Sequence, residues 1–289
     1  RSPGEEGRTM PRTRRQVMLA LLLALGLTAS RSTTAGAGAW SQAPGGLYAK
    51  VSGIYYSADQ VFNTRGDRVD MGFDEQRFSA RQTFVYVEYG LAPNLTLVGQ
   101  AAAAELLAED RFLERRTRGI GDVEAGLKYQ LAARPLVVSP LVRVKVPTGY
   151  HEDYDPALGT GEADLEVRLL AGQSLFPLPL YGNAEAGYRL RGGAYANQVS
   201  YLAECGGKPH VRLFAKAYVE GAQTLSSATA DTGIAGLTQV SEGDYTKGGL
   251  NASLRVWQGL WIDLLWERAL LGENVGAGSS WGLGLAWIR

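Results

Sequence analysis

Few residues of this 289-residue chain have the types and spacing that catalysis or metal binding needs. The sequence has two histidines, His151 and His210, and one cysteine, Cys205. His151 lies in the acidic stretch 150–155, whose carboxylates could bind a divalent cation, although a solvated loop is the simpler interpretation. No recognisable pairing of a nucleophile with a base accompanies either histidine. We therefore predict no catalytic residue, no metal site and no cofactor, and we do not expect an enzyme.

A second set of polar residues is far more regular. In the segment 122–131 charged or polar residues occupy most even positions and apolar residues the odd positions, and segments 162–171, 183–190 and 211–220 repeat an alternation of this kind. Residues two apart share a face of a β-strand, whereas a helix would group residues three and four apart. The pattern predicts strands with one apolar and one charged face.

The number of these segments and the connections between them indicate the architecture. We count about twelve, with weaker copies beginning near residues 47, 81, 95, 136, 198, 248, 260 and 280. Connections alternate between long (59–79, 108–118, 148–161, 223–242) and short (93–94, 132–135, 176–179, 258–259), as in outer-membrane barrels. We predict an all-β fold, an antiparallel transmembrane β-barrel of about twelve strands with short periplasmic turns and long outer loops, in a bacterial outer membrane.

In such a barrel the apolar face meets lipid and the charged face lines the lumen. The predicted lumen-lining residues are Lys50, Glu88, Glu124, Lys128, Arg143, Lys145, Asp164, Glu166, Arg168, Glu185, Arg189, Arg212, Lys216, Glu220, Arg255 and Asp263. The same alternation also places Asp122 and Glu267 on this face, so nine acids match nine bases, as expected if confined charges pair. Two interpretations stay open, a polar passage that selects a solute and an interior filled by cross-strand ion pairs.

The composition bears on partners. Six basic and two acidic residues precede Trp40, which leaves 23 basic and 27 acidic residues from Trp40 onward. A mildly acidic chain does not suggest nucleic-acid binding. Aromatic residues near strand ends favour girdles at the membrane interfaces: Tyr48, Tyr55, Tyr89, Tyr129, Phe176, Tyr181, Trp257 and Trp287. We expect contact with membrane lipid and with the outer-membrane assembly machinery, which commonly reads a terminal aromatic residue. Here the apolar alternation 281–287 is in place, but the last residue is Arg289. The oligomeric state stays open.

The N-terminal region has the features of a targeting segment. Arginines at positions 12, 14 and 15 precede an apolar stretch, 17–29, and small residues at 35, 37 and 39 suit signal-peptide cleavage. The expected division is therefore 1–39 for upstream residues and signal peptide, and 40–289 for the barrel.

Three glycine-containing motifs support a family resemblance. The segments Gly119–Tyr129, Val146–Gly149 and Leu158–Asp164 resemble, in order and spacing, the outer-membrane family named for the MetA pathway of phenol degradation. Members are described as transporters, and the family is similar to channels for hydrophobic compounds. The resemblance implies uptake of small hydrophobic or aromatic solutes. The stretch 40–45 is too short to form a separate plug domain of the kind found in long-chain fatty-acid channels.

Three hypotheses follow. The favoured one is a channel or transporter for a small-molecule solute, restricted by the loops 59–79, 148–161 and 223–242. The alternative is a closed barrel that acts in structure or adhesion through its outer loops. A barrel hydrolase is the weakest, because no motif supports it.

Overall fold

The protein is described by a computed structural model over residues 38–71, 76–150, 154–225 and 243–289. In chain order the strands are β1 (Leu47–Ala58), β2 (Gln60–Phe62), β3 (Arg68–Asp70), β4 (Arg77–Ala92), β5 (Leu95–Glu109), β6 (Glu114–Tyr129), β7 (Val137–Val146), β8 (Asp164–Ser174), β9 (Leu180–Leu190), β10 (Gln198–His210), β11 (Leu213–Thr224), β12 (Asp244–Arg255), β13 (Leu260–Glu273), β14 (Val275–Gly276) and β15 (Ser279–Ile288). Of the predicted upstream and signal segment 1–39, residues 1–37 lie outside the described residues.

Twelve of these strands form a closed antiparallel barrel, which confirms the predicted fold and strand number. Each strand pairs with its neighbours in sequence, and β1 completes the ring by pairing with β4 on one side and β15 on the other. Segment 101–107, whose run of Ala and Leu also has good helix propensity, is part of β5. The remaining strands, β2, β3 and β14, form a small separate sheet. No helix in the described parts of the chain is long and apolar enough to cross a membrane.

The outward face of the barrel is an apolar belt. Leu169, Leu264 and Leu283 expose 53%, 60% and 60% of their surface, and outward Val and Leu side chains recur on the other strands. A contiguous apolar surface of this size is unfavourable in water and suits the hydrocarbon of a membrane. Of the aromatic residues predicted for the girdles, Tyr48 and Tyr181 instead point into the lumen, because they lie in phase with the charged positions of β1 and β9.

The two ends of the barrel differ. The end that holds both chain termini, here called the inner end, has the short turns, including Pro93–Asn94, where Asn94 adopts a φ of 65° that asparagine tolerates. The opposite, outer end has longer connections, among them 59–76 and 147–163, and most of the predicted loop 223–242 lies outside the described residues. The predicted long loop over 108–118 is wrong, because β5 and β6 continue to Glu109 and Glu114 and leave only a turn between them.

The reason for this error lies in the outer halves of β5 and β6. Glu105 lies between Arg116 and Arg118 on the exposed side of these strands, at 3.1 and 2.9 Å. Charges on the outward face cannot lie in hydrocarbon without a large cost. The hairpin therefore projects beyond the membrane into water, where its polar sequence resembles that of a loop.

Candidate functional site

The barrel encloses a cavity of about 730 Å³ that is lined by side chains from all twelve strands. Strands β6 to β13 contribute most of the charged lining residues. The lining residues of strands β1, β4 and β5 are mostly uncharged, and many of them are apolar. The site is therefore the lumen as a whole, and its two walls have different chemistry.

Glu166 on β8 is the centre of the largest ion-pair network of the charged wall. Its carboxylate contacts Arg143, lies 2.9 Å from Arg168 and 3.3 Å from Arg189, and accepts a hydrogen bond of 2.6 Å from the Ser200 hydroxyl. These partners come from β7, β8, β9 and β10. Because several cations share one buried carboxylate, the network holds four strands in register through charge-assisted hydrogen bonds.

The same network reaches two further carboxylates. Arg143 also pairs with Glu124 at 2.9 Å, and Arg168 pairs with Glu185 at 2.8 Å. Arg143 and Arg168 therefore each bridge two acids. The alternation of acid and base leaves little net charge along this wall.

Further pairs continue around the barrel. Lys247 lies 2.9 Å from Glu220 and 3.2 Å from Glu267, and Lys216 lies 2.8 Å from Glu204. Each pair joins neighbouring or next-neighbouring strands. Buried cations and anions thus occur together, as their cost of desolvation requires.

The sixteen residues predicted from the sequence take three positions. Twelve line the cavity: Lys50, Glu88, Glu124, Lys128, Arg143, Lys145, Asp164, Arg168, Glu185, Arg189, Lys216 and Glu220. Glu166 and Asp263 are buried in the same wall beneath lining residues. Arg255 lies at the inner end of the lumen, and Arg212 is exposed in the inner turn between β10 and β11.

Several lumen residues were missed by the sequence pattern. Glu204 and Lys247 belong to the ion pairs, and Tyr218 and Tyr245 line the cavity. Glu204 and Lys247 lie in phase with the other inward residues, so extending the alternation to the weaker strand segments could have found them. Tyrosines carry no such signal, because they occur on both faces.

The middle and outer parts of the second wall are largely apolar. Their apolar inward side chains are Ile54 and Tyr56 on β1, Phe78, Ala80 and Phe84 on β4, and Ala102, Ala104 and Leu106 on β5. Polar residues of the same strands also line the cavity: Lys50, Ser52, Gln82, Glu88 and Gln100. Toward the outer end Phe78, Ala80 and Leu106 pack into a buried cluster. A lumen with one apolar and one charged wall can contact both parts of an amphipathic solute.

A short N-terminal segment, residues 38–43, lies inside the inner half of the barrel. The Ala39 amide donates to Asn183 Oδ1 at 3.1 Å, and the Ala39 carbonyl accepts from the Ser139 hydroxyl at 2.5 Å. The ammonium group of Lys128 donates to the Gly38 carbonyl at 2.8 Å. The segment is too short for a separate domain, yet its backbone is bonded to three strands of the barrel wall.

Two side chains of this segment fill the lumen further. The side-chain amide of Gln42 donates to Glu88 Oε2 at 2.9 Å, and the backbone N–H of Gln42 donates to Thr96 Oγ1 at 2.9 Å. The Trp40 ring contacts Tyr181 edge-on at 5.6 Å. The segment therefore narrows the lumen on the side formed by β4 to β9.

The connection 147–163 narrows the outer half in a similar way. The Tyr150 hydroxyl donates to Asp122 at 2.6 Å and accepts from the Gly161 amide at 2.9 Å. Burial and the hydrogen bond to Asp122 raise the pKa of Tyr150 above its usual value, so the hydroxyl stays protonated as a donor. Leu158 packs in the apolar cluster of the second wall, which holds the connection inside the mouth.

The candidates for other chemistry lie apart from this lumen network. His151 is outside the described residues. His210 lies at the inner end, where its Nδ1 accepts from the Arg212 amide at 3.2 Å. Cys205 is exposed on the outer face of β10. Among the described residues, no group of three or more His, Cys, Asp or Glu side chains is arranged to hold a metal ion.

Comparisons with known proteins place the fold. No family model matches the chain, and no curated protein matches its sequence. The COG4313 outer membrane channel from Pseudomonas putida F1 is a similar structure, with a TM-score of 0.64 and 16% identity over 90% of this chain and 100% of that chain. The translocator domain of autotransporter NalP from Neisseria meningitidis has a TM-score of 0.52 and 12% identity over 85% and 90%. The NanC porin has a TM-score of 0.51 and 10% identity over 83% and 98%.

At these identities the likeness concerns the fold. The resemblance to the family named for the MetA pathway of phenol degradation is not confirmed. The chain has the fold of bacterial outer-membrane β-barrels.

Proposed function

We propose that this barrel is an outer-membrane channel for small solutes with an apolar or aromatic face. Two of the similar structures are named as a channel and a porin, which supports transport as the general function. The motif resemblance to the MetA-pathway family supports a hydrophobic or aromatic solute.

The observation that carries the proposal is the two-walled lumen. A solute that crosses it can keep an aromatic or aliphatic face against Phe84 and Ala104 on the apolar wall. Its polar groups can exchange hydrogen bonds with Glu185 and Arg189 on the charged wall. In a lumen charged on every side, the apolar face of such a solute would lie against charged groups and would gain no apolar contact.

The pairing of the charges bears on selectivity. Lumen acids such as Glu166 and Glu220 lie in ion pairs with cations. Paired charges create weak long-range fields, so this part of the lumen favours neither cations nor anions strongly. Discrimination then depends on shape and on contact with the apolar wall.

A closed barrel is the second candidate. The N-terminal segment and the connection 147–163 both lie within the lumen, and together they narrow it at the two ends. If the lumen never opens, the outer loops would carry the function.

Single-channel recording in planar bilayers tests the proposal. We expect discrete conductance steps from the folded chain, and larger steps when residues 38–43 are deleted. A folded, inserted deletion variant without conductance would refute the channel and favour the closed barrel.

The solute class is tested with a neutral aromatic blocker, benzyl alcohol. Phe84 and Gln82 both point inward from β4, so Phe84→Asn and Gln82→Asn form a matched pair. We expect Phe84→Asn to weaken the block by about tenfold, the effect of losing most of a ring contact, and Gln82→Asn to leave it nearly unchanged. Equal effects of the two variants would contradict recognition by the apolar wall.

A further inference from the structure

At the inner end of the lumen, the N-terminal segment lies against one side of the barrel wall. The hydrogen bonds and ring contacts of that segment lie on strands β4 to β9. On β10 to β13 the innermost side chains in phase with the residues that line the cavity are Lys208, Phe214, Arg255 and Trp261. We call these four residues the inner-mouth cluster. A cation and an aromatic ring alternate along it, one from each strand.

The two cations of the cluster converge on the ring of Trp261. The Arg255 guanidinium lies 6.0 Å from the centre of this ring, and the two residues are direct cross-strand partners. The Lys208 ammonium lies 5.8 Å from the same ring, although β10 is separated from β13 by two strands. Phe214 stacks on Tyr181 at 6.2 Å, which continues the aromatic surface toward the N-terminal segment.

The charges of the cluster differ from those of the lumen above it. Lys50 and Lys216 lie nearer the middle of the barrel, and they pair with Asp263 and Glu204 respectively. Lys208 and Arg255 make ring contacts, but neither has an ion pair within the described part of the chain. The turns of this end, 93–94, 130–136, 175–179, 211–212 and 256–259, contain no Asp or Glu. Among the described residues, therefore, no Asp or Glu side chain forms an ion pair with the two cations of the inner mouth.

We propose that the inner-mouth cluster binds a small organic anion, a carboxylate attached to an aromatic or apolar body. The carboxylate would accept charge-assisted hydrogen bonds from Lys208 and Arg255, which lie at the buried ring of Trp261, and the body would pack against Phe214. This inference rests on the proposed function for its role, because the cluster lies where a solute leaves or enters the lumen at the inner end. An anionic lipid headgroup offers similar chemistry.

Calorimetric titration of benzoate into the folded chain, purified in neutral detergent micelles, tests the site. We expect saturable binding, and binding of the uncharged analogue benzamide at least about tenfold weaker, because the charge-assisted hydrogen bonds are lost. The double variant Lys208→Gln/Arg255→Gln should raise the Kd for benzoate by at least about tenfold. Arg212→Gln is the matched control, because Arg212 is exposed at the same end and has no ring contact with Trp261. It should leave the Kd within about twofold.

Three results would overturn the assignment. These are equal affinity for benzoate and benzamide, an unchanged Kd in the double variant, and an equal loss in the Arg212→Gln control. A separate titration with phosphatidylglycerol distinguishes the source of the anion. Binding of this lipid together with failure of benzoate to bind would also overturn it.

Recordings in bilayers separate this inference from the proposed function. Conductance without benzoate binding would refute the inner-mouth site and leave the channel. Binding that depends on Lys208 and Arg255 in a chain without conductance would support the site and refute the channel.

Discussion

Replacing Lys128 by methionine tests how strongly the ion pair beneath the N-terminal segment stabilises the barrel. The side chains of Lys128 and Glu88 each expose 1% of their surface, and Nζ lies 3.0 Å from Oε1. Removing one member of a buried pair leaves an uncompensated charge and costs about 3–5 kcal/mol. Glu88 would keep donors from Tyr86 and Gln42 at 2.6 and 2.9 Å, so we expect the lower end, about 3 kcal/mol.

The double variant Lys128→Met/Glu88→Gln makes this argument quantitative. It removes both charges, so we expect it to be more stable than Lys128→Met alone, with a coupling energy of at least about 1.5 kcal/mol. The assay is reversible urea unfolding in lipid vesicles, followed by tryptophan fluorescence. Arg65→Met is the control, because Arg65 and Asp67 form an exposed pair at 3.8 Å and its loss should change little. A loss below about 1 kcal/mol for Lys128→Met, or strictly additive single changes, would refute the reasoning.

Three other perturbations address the lumen, the lipid face and the outer connection. Arg168→Glu reverses one charge of the Glu166 network and should shift the reversal potential in a salt gradient toward cation selectivity; an unchanged potential would mean that this residue does not face an open passage. Leu264→Lys places a charge on the lipid face and should lower the free energy of unfolding by about 2–4 kcal/mol, whereas a cost near zero would place Leu264 outside the hydrocarbon. Tyr150→Phe removes the donor to Asp122 and should speed proteolysis within 147–163, and an unchanged cleavage rate would show that this bond does not hold the connection.

The local sequence was sufficient for the barrel and for the direction of most lumen side chains. The side-chain period of a strand is two, so the apolar alternation around Arg143 and Arg168 identifies their inward face whichever strands become neighbours. Strand number follows from counting such segments, and the short turns of the inner end have recognisable turn residues such as Asn94.

The same local pattern misjudged features that depend on position relative to the membrane. The polar sequence 108–118 was predicted as a loop, although most of it continues β5 and β6 beyond the lipid. Tyr48 and Tyr181 were predicted for the lipid interface and point inward. An aromatic residue suits either environment, so residue type alone does not choose between them.

Which charges meet was decided only by the tertiary structure. Glu166 contacts Arg143, Arg168 and Arg189 because the register of β7, β8 and β9 brings three strands to the same depth, and no local pattern contains that register. The N-terminal residues 38–43 have no charge and no periodicity, so their place against Lys128 and Asn183 depends on polar groups that only the closed barrel brings together. The sequence determined which side chains face inward, because that property repeats along each strand. Pairing, the narrowing of the lumen and the cationic inner mouth required the strands to be closed in one register, because these features join residues that lie far apart in the chain.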